Sequence, residues 1–121
     1  MLIWLQVALG GAIGALARYG VALWVGKSLG GVFPWGIFTV NILGCFLIGL
    51  LSISMIHSQH LAQYRPLLIV GILGGFTTFS SFGLESMQLI EAKAWKEASF
   101  YILGTNIAGI MSVFLGMNFS R

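Results

Sequence analysis

Four long apolar stretches, separated by short turns, leave this chain few ways to fold. Each stretch approaches the ~20 residues that a helix needs to cross the hydrocarbon of a bilayer. With their turns they use up the 121 residues, and no linker or low-complexity segment remains to hold a soluble domain. Only 7% of the residues are charged, against roughly 25% in a soluble domain, which is too little to cover a water-facing surface. The 58% that are hydrophobic call for an apolar solvent. The expected fold class is an all-α membrane protein with four transmembrane helices per chain, forming one domain over residues 1–121.

The local signals place the spans. The first is expected over about residues 2–25, followed by a glycine-rich surface turn at 26–31. Pro34 suits a first helical turn, so the second is expected at about 33–56. Residues 57–65 are the most polar in the chain and read as a loop; Pro66 then opens the third span, to about residue 90. A charged loop carrying Lys93 and Lys96 leads to the fourth, at about 98–119. Trp4, Trp24, Trp35 and Trp95 all fall near these ends, where a half-wet indole is most stable. The N-terminus lacks a basic leader and reads as a retained helix rather than a secretory signal.

Small residues mark close packing. Gly10 and Gly14 form one pair, and Gly104, Ala108, Ser112 and Gly116 form a stripe along the fourth span; such residues let helix backbones approach in lipid. The single cysteine, Cys45, permits no intrachain disulfide and reads as a small packing residue. The net charge of +3 comes without any basic run, so no nucleic acid partner is expected. Orientation is ambiguous. Lys27, Lys93 and Lys96 fall on one side, against Arg65, Arg121 and the N-terminal amine on the other. The positive-inside rule then gives no clear vote. Copies inserted both ways and paired antiparallel are one reading, and small-number noise is the other. An oligomer is expected on either, because four helices can hardly enclose an ion path.

Polar groups inside a bilayer need a reason, since unpaired ones are costly. Arg18 lies well inside the first span; it either snorkels to the surface or places positive charge in an aqueous vestibule that attracts anions. Asn41, in the second span, offers an interhelical hydrogen bond or amide donors to a dehydrated anion. In the third span, Gly74, Gly75, Thr77 and Thr78 make a poor continuous helix, so a break is expected near residues 74–78. Carbonyls freed there are good ligands for a hard cation such as sodium. Just beyond, Phe79 and Phe82 share a helix face around Ser80 and Ser81. The ring edges are electropositive, and together with hydroxyls they suit a small anion. Glu85 is the only acid expected deep in a span, where it marks either a functional site or a structural hydrogen bond. His57 and His60 lie on a loop without metal-ligating partners, and no nucleophile–base set or phosphate loop occurs, so an enzyme is not expected.

These residues resemble a known family. The run from Gly10 to Arg18 and Tyr19, the Thr39-Val40-Asn41-Ile42-Leu43-Gly44 segment, and Gly74-Gly75-Phe76-Thr77-Thr78-Phe79-Ser80-Ser81-Phe82 are similar, in order, spacing and helix placement, to the signatures of the CrcB/Fluc fluoride channels. The resemblance covers essentially the whole chain. It implies an antiparallel dual-topology homodimer in a bacterial inner membrane, with helix 3 broken mid-membrane and two pores that let cytoplasmic fluoride escape passively. It also implies a structural sodium ion at the dimer centre, held by the carbonyls of Gly74 and Thr77. Asn41, Phe79, Phe82, Ser80 and Ser81 would line the pore, and Arg18 its vestibule. Glu85, Thr105, Asn106 and Ser112 are further polar candidates. One departure matters: Ile37 stands where many members carry threonine, which removes a hydroxyl that Thr39 is the nearest to replace. Ser81 in place of threonine keeps its hydroxyl.

Two other readings compete. A small multidrug exporter has similar size, but such transporters place an essential acid in the first helix, and this chain has none there. A non-transporting membrane scaffold would explain the small-residue stripes but not hydroxyls and aromatic rings clustered after a helix break.

Overall fold

The computed structural model describes residues 2–121; the N-terminal amine counted above lies outside the described residues. These form helices joined by short turns: α1 (Leu2–Leu29), α2 (Trp35–His57), α3 (Gln59–Ala62), a π-helical segment (Pro66–Leu73) that runs into α4 (Gly74–Phe76), α5 (Phe79–Glu91) and α6 (Trp95–Ser120). Four spans, Leu2–Leu29, Trp35–His57, Pro66–Glu91 and Trp95–Ser120, are long and apolar enough to cross a membrane.

The turns are shorter than the sequence suggested. α1 continues through Gly26 and stops at Leu29, because the effective stop signal is Gly30 followed by Gly31, with φ of 62° and 80°. Left-handed residues of this kind terminate helices, and glycine adopts them without a steric cost. Lys27 sits in the last turn, where it complements the negative end of the helix dipole. Pro34 is not in the first turn of α2. It caps the helix from outside, and Trp35 is the first helical residue. The polar loop contains α3, whose Ser58 hydroxyl accepts from the Leu61 N–H in an ordinary N-cap. α5 ends in a Schellman closure: Lys93 is left-handed, its N–H reaches the Ile90 carbonyl, and Ala94 N–H reaches that of Leu89. That tight stop allows α6 to begin at Trp95. Trp4, Trp24, Trp35 and Trp95 are all exposed.

Two close helix contacts hold the bundle. α1 lies against the π-helical segment and α4, and α2 lies against α6. Backbone meets backbone in both contacts. A methyl added at Gly10 would lie 2.5 Å from the Leu67 carbonyl oxygen and 2.8 Å from the Gly71 Cα, and one at Gly14 would strike the Ile72 carbonyl. Gly49 and Gly116 hold the same kind of contact against Val113 and Phe46. Along α6 the tight glycine is Gly116, whereas a methyl at Gly109 would make ordinary contact with Cys45 and one at Gly104 would meet only the rings of Phe38 and Phe100. Of the two glycines in the expected stripe, Gly116 makes a close backbone approach and Gly104 does not. Cys45 lies against Gly109, consistent with a packing role.

The third span changes partner along its length. After Phe76 the backbone at Thr77 and Thr78 is extended, with φ/ψ of −87°/155° and −151°/120°. Gly74 and Gly75 themselves are helical. α5 then leaves α1 and packs on α6, through a cluster of Phe82, Leu89, Ala98 and Tyr101 backed by Phe33 and Phe38.

Candidate functional site

The two extended threonines redirect a set of backbone hydrogen bonds. In a continuous helix the Thr78 N–H would bond to the Gly74 carbonyl, four residues back. Here it donates to Asn41 Oδ1 at 2.9 Å. Asn41 Nδ2 in turn donates to the Thr78 carbonyl at 3.1 Å. One carboxamide from α2 thus pairs with both backbone groups of Thr78, like a strand of a single residue. The Thr78 hydroxyl caps α5 by accepting from the Ser81 N–H at 3.2 Å, which removes the helical donor from the Thr77 carbonyl. Gly74 and Thr77 therefore present carbonyl oxygens whose helical donors are engaged elsewhere. Thr77 turns its own hydroxyl back to the Leu73 carbonyl at 2.9 Å.

A cavity of about 350 Å³ opens beside this joint. It is walled by Asn41, Gly44 and Cys45 of α2, by Gly74, Thr77 and Thr78, by Phe79 and Phe82, and by Thr105 and Asn106 of α6. The two phenylalanine rings have centroids 5.6 Å apart and are tilted by 48°. They differ in environment. Phe82 is 8% exposed and packs on Tyr101, with ring centroids 5.1 Å apart; Phe79 is 82% exposed. Thr105 contributes a buried hydroxyl oxygen with no protein partner. Asn106 donates to the Ile102 carbonyl of its own helix.

The structure divides the expected site residues into groups. Asn41, Gly74, Thr77, Phe79, Phe82, Thr105 and Asn106 share this cavity. Ser80 and Ser81 gather around the Thr78 hydroxyl, at 3.2 and 3.3 Å. Ser81 also lines a separate groove on the other side of α5, together with Glu85. Glu85 Oε1 accepts from the Tyr101 hydroxyl at 2.7 Å. Thr39, Arg18 and Ser112 are half-buried and line neither the cavity nor the groove. Thr78 was missed as a site residue. Its signal was present, since threonine two residues before paired serines is a good N-cap, but the cap is only meaningful once the helix is known to restart there.

Known proteins resemble this chain over nearly its whole length. A family model described as CrcB-like protein, Camphor Resistance (CrcB), matches residues 5–117. The chain is 42% identical over 118 residues to the fluoride-specific ion channel FluC of Chloroflexus aurantiacus, covering 97% of this chain and 94% of that protein. It is 45% identical to the protein of that name from Thermus thermophilus, covering 93% of this chain and 89% of the relative. It is 46% identical to the one from Paracoccus denitrificans, covering 97% and 93%. Four apolar spans and these relatives make it a multi-pass membrane protein. With nearly its whole length matched, the chain belongs to the CrcB-like family.

Proposed function

We propose that this protein is a fluoride-selective channel that lets the anion leave the cell passively across the bacterial inner membrane and so reduces fluoride toxicity. The observation that carries the reading is the single cavity in which Asn41, Thr77, Thr78, Phe79, Phe82 and Thr105 meet at the interruption of the third span. Relatives named as fluoride channels over nearly the whole chain support it.

Fluoride holds its water tightly, so a path for it needs donors that replace hydration without trapping the ion. Asn41 has two amide hydrogens, and one is engaged by Thr78; the second is the donor offered to the ion. The Thr105 hydroxyl and the ring edges of Phe79 and Phe82 continue the path. Ser80 and Ser81 set the Thr78 end of the joint, with Thr39 and Ser112 as flanking polar groups. Arg18 raises anion concentration at the mouth.

The working unit is an antiparallel, dual-topology homodimer. The exposure of Phe79 supports this: a ring 82% exposed in one chain becomes part of a pore wall when a second copy covers it. The donor set at the break also fits a hard cation, because Gly74 and Thr77 offer carbonyl oxygens without their helical donors. A sodium ion bound there at the dimer centre would supply fixed positive charge and hold the two breaks together.

Purified protein in liposomes should release fluoride rapidly and chloride very slowly. Equal release of the two ions, or of neither, would reject the reading. Phe79→Ile and Phe82→Ile should each remove most of the flux while the assembly elutes unchanged. Wild-type flux in both variants would take the rings out of the pore.

A further inference from the structure

The α2 helix grips the break in the third span at two points. Asn41 and Gly44 are three residues apart and share one face of that helix. The Asn41 carboxamide holds both backbone groups of Thr78, and a methyl on Gly44 would strike the methyl of Thr77. The Thr77 side chain cannot swing aside readily. It is tied to the Leu73 carbonyl twice, by its N–H at 3.0 Å and by its hydroxyl at 2.9 Å. A carbonyl oxygen has two lone pairs, so Leu73 has no place for a third donor. Thr78 is buried, and a buried N–H needs an acceptor. Without Asn41 Oδ1, the acceptor left to it is the Gly74 carbonyl four residues back, its ordinary helical partner.

We infer that Asn41 and Gly44 are positioning residues for the cation site: Asn41 Oδ1 draws the Thr78 N–H off the Gly74 carbonyl, and the bare Cα of Gly44 lets Thr77 seat, so that both carbonyls stay open to a hard cation. The inference rests on the proposed sodium site and adds what builds it. Asn41, Gly44, Gly74 and Thr77 wall one cavity, and oxygen donors of this kind suit sodium. The asparagine is thereby divided by atom. Its Oδ1 serves the cation side, whereas the Nδ2 hydrogen not taken by Thr78 serves the anion. Asn41→Asp keeps an oxygen acceptor for the Thr78 N–H but loses the amide donors. Asn41→Ala loses both.

The test uses the full-length protein in detergent, dialysed exhaustively into N-methylglucamine chloride and titrated with sodium chloride at constant ionic strength. A ligand that binds only the folded state raises the melting temperature, so wild type should gain stability as sodium is added. Asn41→Asp should need no more than about threefold the wild-type sodium for the same rise, Gly44→Ala more than about threefold, and Asn41→Ala about tenfold or more. Fluoride efflux from liposomes should nevertheless fall in Asn41→Asp, because its amide donors are gone. A wild-type melting temperature indifferent to sodium overturns the inference, as does an Asn41→Ala protein that titrates like wild type. A response lost as fully in Asn41→Asp as in Asn41→Ala overturns it too, because general loosening of the joint would then explain both. Should Asn41→Ala not fold, Gly44→Ala carries the test with the carboxamide intact, and a wild-type titration there is equally fatal. Wild-type protein that responds to sodium yet passes no fluoride rejects the proposed conduction instead and leaves the cation site standing.

Discussion

The two halves of the third span are built on opposite principles. Residues 66–76 are glycine-rich, apolar and laid backbone-to-backbone against α1, with Gly10, Gly14, Gly71 and Gly75 at the contact. Residues 79–91 make no such approach; they rest through the side chains of Phe82 and Leu89 on Tyr101 and Ala98 of α6. The first half has no polar side chain to satisfy, whereas the second carries Ser80, Ser81, Glu85, Ser86 and Gln88. Between them, two residues of extended chain and one asparagine make the exchange of partner possible. The contrast teaches that the break is not a loss of order. It lets one span use dense packing as an anchor and then present polar groups to cavities on both sides of α5.

Substitutions at the anchor should have the largest effect. Gly14→Leu would drive its side chain into the Ile72 carbonyl and the Phe76 N–H, and overpacking of this kind costs roughly 3 kcal/mol or more. Little folded protein should survive purification in detergent. Gly11→Ala is the control three residues away, because its methyl meets nothing within 4 Å; it should be neutral or stabilising by up to about 1 kcal/mol. If both behave alike, the backbone contact is not the anchor.

The joint should respond next. Asn41→Ala leaves the Thr78 N–H and carbonyl without partners. Each unsatisfied buried group costs about 1–3 kcal/mol, so the melting temperature should fall clearly and fluoride flux should be severely impaired. Normal stability with normal flux would mean that neither the joint nor the path depends on Asn41. Thr78→Ala should cost about 1 kcal/mol through the lost cap, and Thr78→Ser should retain most of it. Equal losses in the two would show that the methyl, not the hydroxyl, matters. The smallest effect is expected at the far end of α5. Lys93 is left-handed with φ of 60°, a conformation that costs a non-glycine residue roughly 1 kcal/mol. Lys93→Gly should therefore stabilise slightly, by thermal unfolding in detergent, without changing flux. Destabilisation would mean that the lysine side chain contributes something the backbone does not show.

Much of this was legible before any coordinates. Hydropathy reports which solvent a segment prefers, and that property is local, so four spans could be counted and placed to within a few residues. Their ends moved where a stop depended on backbone angle, as at Gly30 and Lys93. The gathering of Asn41 with Phe79 and Phe82 was suggested by motif, but the engagement of Asn41 with Thr78 was not. A carboxamide that bonds a neighbouring backbone and one that waits for an ion read identically in one dimension. The same holds for Phe79 and Phe82. They are alike in type and three residues apart, yet one is buried and the other exposed.

The amino-acid sequence alone determined the solvent, the number of crossings and the residue types available for an anion, because each depends on the chemistry of neighbours along the chain. Tertiary structure decided which glycines are contacts, which partner each half of the third span takes, and which polar groups face which cavity. Those outcomes depend on residues 37 apart, such as Asn41 and Thr78, whose meeting is set by how whole helices pack.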